Sequence, residues 1–165
     1  MFEFMEPFVR APSSKLRLGL YENGFFPVSE EVVRNMEEGL GYEIPSELRA
    51  FYSEVGEGRL QTGQSGELIS GSHNSVIYPS DIPRLIDGTC EWMMPYTIIQ
   101  PNTLPFFDRD VDLFLCLRPQ SENPNAVYWM WGEKVSDSLV DFFQKLIIDP
   151  DWFNPPAKGT FSIDC

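Results

Sequence analysis

A chain of 165 residues that is 42% hydrophobic and 14% aromatic has the size and composition of one globular domain with its own core. Its 25 acidic residues against 12 basic ones give a formal charge of −13, which repels phosphate backbones and anionic lipid headgroups and argues against nucleic acid or membrane as a partner. The same field speeds the approach of a basic protein, although plain solubility is also a sufficient reason for it.

Nothing in the chain nears the roughly 18 consecutive apolar residues of a membrane helix. The opening stretch carries Glu3 and neither a basic start nor a continuous apolar run, so it does not read as a secretory leader. Cys90, Cys116 and Cys165 are too widely spaced for a CxxC or zinc pattern; reduced thiols and a cytoplasmic setting follow.

In chain order, Lys15 to Tyr21 alternates polar with apolar residues and predicts a short strand closed by Glu22-Asn23-Gly24. Ser29 caps a helix with Glu30 and Glu31 in its first turn, where the helix dipole favours negative charge. Val32, Val33, Met36 and Leu40 share its inner face and Gly41 stops it. Pro45-Ser46-Glu47 opens a second helix with the stripe Leu48, Phe51, Tyr52 and Val55, ended by Gly56 to Gly58.

Arg59 to Asn74 reads as a loop with a short strand at Glu67 to Ile69. A third helix runs from Ser80 to Gly88 with Pro83 in its first turn, and residues 91–110 read as irregular apart from a strand near Tyr96 to Ile99. Asp112 to Leu117 and Ala126 to Trp131 are the strongest strands, joined by the turn-forming residues 119–125 into an antiparallel hairpin. The last helix is predicted from Ser136 to Ile148 with Leu139, Phe142, Phe143, Leu146 and Ile147 inward, ended by Pro150. The fold class is α+β.

Catalytic equipment is sparse. His73 is the only histidine, and no nucleophile is placed beside it by sequence. Gly63-Gln64-Ser65-Gly66 lacks the lysine and following helix of a phosphate loop. Asp108, Asp110 and Asp112 have the spacing of the first ligands of a calcium loop, but Leu113 and Pro119 stand where that loop needs glycine and glutamate. They read instead as a solvated acidic row able to meet a basic partner. Glu54 and Glu57 read as solvated acids near a helix end. No metal or cofactor is expected. In a strand, Trp129 and Trp131 point to one face and Tyr128 and Met130 to the other, so the tryptophans either fill the core or anchor a partner.

The stretch Gly41 to Tyr52, with Leu-Gly ending one helix and Ile44-Pro45 opening an aromatic-striped second one, resembles the SUKH superfamily. So do Ile77-Tyr78-Pro79-Ser80-Asp81-Ile82 and Leu104-Pro105-Phe106-Phe107-Asp108 followed by Asp112 to Leu115, the latter resembling the family's central strands. The resemblance covers roughly residues 29–148 of a single domain spanning 1–165, leaving an N-terminal extension (1–28) and a Pro-containing tail (149–165). It implies a mixed, mainly antiparallel sheet with helices packed around it and a protein-binding, non-enzymatic role. Bacterial members of that superfamily look like immunity proteins that neutralise a cognate polymorphic toxin, often a nuclease; fungal members act as regulators of cell-wall assembly. The expectation is an antidote binding a basic toxin domain through Glu54, Glu57, Asp108, Asp110, Asp112, Trp129 and Trp131, with a regulatory or scaffold module of the same fold as the alternative.

Overall fold

The computed structural model describes residues 1–11, 23–62, 73–92, 99–110 and 113–154. The strands predicted at 15–21 and 67–69, most of the one at 96–99, Asp112 and the tail from 155 lie outside the described residues.

Seven strands lie side by side in chain order: β1 (Gly24–Phe26), β2 (Glu57–Arg59), β3 (Ser75–Val76), β4 (Leu104–Asp110), β5 (Leu113–Leu117), β6 (Val127–Trp129) and β7 (Lys134–Ser136). Every neighbouring pair is antiparallel. The sheet of described strands is thus antiparallel and not mixed as expected; a single isolated parallel bridge, outside these strands, joins Val9 to Phe25. A 3-10 helix (Glu3–Phe8) and the helices α1 (Glu30–Leu40), α2 (Ser46–Glu54), α3 (Asp81–Ile86) and α4 (Leu139–Leu146) complete an α+β single domain.

The helices form where capping and periodicity put them. Ser29 accepts from the Val32 N–H, and Gly41 ends α1 in the left-handed region at φ 78°. Leu48, Phe51, Tyr52 and Val55 are all buried, and the ring of Phe51 stacks on that of Phe143 of α4 at 4.1 Å. Phe2 meets Phe51 edge-on at 5.1 Å, and Phe107 of β4 meets Phe142 at 5.4 Å. One aromatic core therefore joins α2, α4, the central strand and the N-terminal segment. Phe2 and Met5 are core residues, although the resemblance stopped short of them.

Four elements differ from the sequence-based expectation. Residues 91–110 are not irregular throughout, because β4 crosses the middle of the sheet; its Pro105 sits at a register shift, where a missing N–H is tolerated. β1 begins within the predicted turn at Gly24. The Gly56 to Gly58 break holds β2, and Gly56 is needed there, since a Cβ would lie 1.7 Å from the Phe26 carbonyl oxygen at φ +98°. Ser136 belongs to β7 and not to the last helix, whose cap is Ser138, which accepts from the Asp141 N–H.

Candidate functional site

The acidic residues singled out by sequence take different roles. Glu54, at the end of α2, accepts from the Phe2 N–H at 2.8 Å and from the Met1 ammonium at 3.0 Å, and these partners hold its pKa below the usual carboxylate value. It thus ties the N-terminal segment to α2, with 40% of its side chain still exposed. Asp108, on β4, receives the His73 ring at 2.8 Å and is mostly shielded, with 15% of its side chain exposed. His73 is exposed, as its loop position predicts, but it is paired with Asp108. Asp110 lies at the end of β4 opposite Leu113, and both it and Asp108 are only partly exposed.

Glu57 lines a shallow cleft that the sequence did not reveal. Two adjoining hollows of 270 and 220 Å³ share Val32 and Tyr78; Met36 and Pro83 lie at one end and Phe26, Pro27 and Glu57 at the other. Glu54 lines a separate hollow with Phe2, Glu3, Glu6 and Val9, and His73 lines none of these three. Glu54 and Glu57 therefore line different hollows. Among the described residues no group of three or more His, Cys, Asp or Glu is placed to hold a metal ion. Burial pushes the Cys116 thiol pKa well up, which keeps it in the unreactive protonated form.

The two tryptophans share a side, as alternation predicts, but not an environment. β6 ends at Trp129 and the chain turns through Met130, Trp131 and Gly132. The Gly132 N–H donates to the Trp129 carbonyl and the Trp129 N–H to the Glu133 carbonyl, each at 2.8 Å. Gly132 adopts φ 102°, which a two-strand connection of this kind asks of its glycine. Trp129 is 4% exposed and packs on Phe153 at 5.7 Å, whereas Trp131 is 54% exposed. Their rings stack at 4.7 Å and 7°. The Trp131 indole N–H donates to the Glu133 carboxylate at 3.3 Å.

Around this pair the register adds a second apolar group. Leu115 lies opposite Trp129, so Leu113, two residues along β5, falls on the Trp131 side; it too is exposed. The layer below is fixed by Arg109, which donates to Asn154 at 2.9 Å and to Asp151 at 2.8 Å and lies over the Phe153 ring. That latch pins Phe153 beneath Trp129. The result is an exposed indole held on a layered aromatic base, with Glu133 bonded to its edge. Residues held this way lose little side-chain entropy on binding. Sequence alternation located both tryptophans; it could not separate them, because a turn and not a face change exposes Trp131.

No described helix is long and apolar enough to cross a membrane. No solved structure matches the chain. It is 25% identical over 130 residues to "Immunity protein YxxD" of Bacillus subtilis (strain 168), a match covering 76% of this chain and 84% of that protein. The profile of the SMI1 / KNR4 family (SUKH-1) matches residues 27–145. The chain belongs to the SMI1/KNR4 (SUKH-1) family.

Proposed function

We propose that this chain is a cytoplasmic, non-enzymatic immunity protein that binds and neutralises a toxin domain of basic charge. The observation that carries the reading is its similarity, over most of both chains, to an immunity protein. Physical support comes from the charge of −13, which steers a basic partner into encounter. The exposed Trp131 and Leu113, with Glu133 bonded to the Trp131 edge, supply the apolar centre and acidic rim that protein interfaces use. Carboxylates on such a rim pair with the Lys and Arg that a nuclease uses for phosphate, and so compete with its substrate.

The test is co-expression with candidate toxin domains from the same genome, those in neighbouring reading frames first. Growth rescue by the wild-type chain, lost or weakened in Trp131→Ala, is the expected result. Full toxicity in the presence of the wild-type chain, with no complex on size-exclusion chromatography, would overturn the reading.

A further inference from the structure

We infer that the outer face of Trp131, together with Glu133, is a receptor for an arginine side chain presented by the protein partner. The inference rests on the immunity reading for the partner's basic character and goes beyond it in naming the group that is read.

The chain itself supplies the pattern. Arg118 lies over the Tyr128 ring at 4.4 Å, Lys145 over Trp152 at 4.9 Å and Arg109 over Phe153 at 5.8 Å. Within this chain aromatic rings are repeatedly covered by cations. Trp131 has one face on Trp129, is 54% exposed, and has no cation over it among the described residues. The indole is the best cation-binding ring among the natural side chains.

Glu133 is exposed and is tied to the same indole through the ring N–H. A guanidinium lying flat on Trp131 could therefore turn its N–H edge toward the Glu133 carboxylate. That combination of stacked plane and in-plane donors belongs to arginine and not to lysine, whose ammonium is a compact point charge without a plane to stack. The platform is already rigid, because Trp129, Phe153 and the Arg109 latch hold it from below.

Hexaarginine and hexalysine peptides test this without the toxin, and both are drawn equally by the net charge. Binding is followed by the Trp131 indole N–H resonance, assigned through Trp131→Phe, and by tryptophan fluorescence. Hexaarginine should shift that resonance and bind at least about fivefold more tightly than hexalysine, and the difference should vanish in Trp131→Ala and shrink in Glu133→Gln. Equal affinities for the two peptides, or shifts centred elsewhere on the acidic surface, overturn the proposal. Circular dichroism of each variant confirms that it remains folded. Failure here leaves toxin neutralisation standing, and failure of neutralisation leaves this result standing.

Discussion

On the helical side of the molecule, Glu37 and Glu47 bond other parts of the chain, whereas at the β6–β7 corner the Glu133 carboxylate faces water. Glu37 pairs with Arg49 and accepts the Ile44 N–H at 2.9 Å. Glu47, in the first turn of α2, accepts from the N–H groups of Leu139 and Val140 at 2.8 and 3.1 Å, and so caps a helix some ninety residues away. The Glu133 carboxylate, by contrast, is on an exposed residue and bonds the edge of an exposed indole. The same residue type thus supports the fold in one region and stands available to a partner in the other. Net charge alone overstates the surface on offer, since several acids are already used internally.

This division can be broken experimentally. The largest effect belongs to Phe51→Ala, which removes the ring stacked on Phe143 and met by Phe2 and Phe25; a loss of about 4 kcal/mol is expected in urea unfolding. Glu47→Ala should cost about 2 kcal/mol, because two N–H groups at the start of α4 lose a charged acceptor, with Glu47→Gln recovering part of it. A smaller loss for Glu47→Ala, equal to that of an exposed acid, would erase the contrast between the regions.

Trp131→Ala sharpens the comparison from the other side. Its stability should change by less than about 1 kcal/mol, while calorimetry with the toxin should show affinity falling by about tenfold or more. The smallest effect concerns acid. Glu54 and Asp141 both have pKa values lowered in the fold, Glu54 first by the Phe2 N–H and Asp141 first by Lys145. Their contributions are complete above the ordinary values of 4.5 and 3.8 and are lost as pH falls through the lower folded values. The melting temperature should therefore drop on acidification below that range, and by less in Glu54→Gln.

The helices were legible because caps and stripes are local. Ser29, Gly41 and the Leu48–Phe51–Tyr52–Val55 stripe act within a few residues of themselves. The hairpin of β5 and β6 was legible for the same reason. β2, with Glu57, Gly58 and Arg59, has no apolar residue to announce it; it exists because β1 and β3 flank it. β7 is three residues long and runs into the cap of α4, so its Ser136 read as helix. β4 was hidden from pattern by Pro105 and two register shifts, although its likeness to a family strand pointed there.

The site was legible only in part. Trp129 and Trp131 could be named from alternation, but their separation into buried and exposed depends on the turn at Gly132 and on Phe153. Glu54 could not be distinguished from a free acid, because the Phe2 N–H that it accepts comes from far away in sequence. The cleft at Tyr78 needs α1, β2 and the approach to α3 together. No local pattern encodes that meeting.

The strand order has a consequence for how the chain is made. Each strand pairs with the strand that precedes it along the polypeptide, so none has to wait for a sheet partner synthesised much later. The sheet can grow by addition at one border as the chain leaves the ribosome, each new strand docking on a finished neighbour. Pairings between successive elements keep many closure distances short, which favours quick assembly. Contacts such as Phe51 on Phe143 and Glu47 on α4 instead join early and late segments, so the final helix is the piece that locks a sheet already in place.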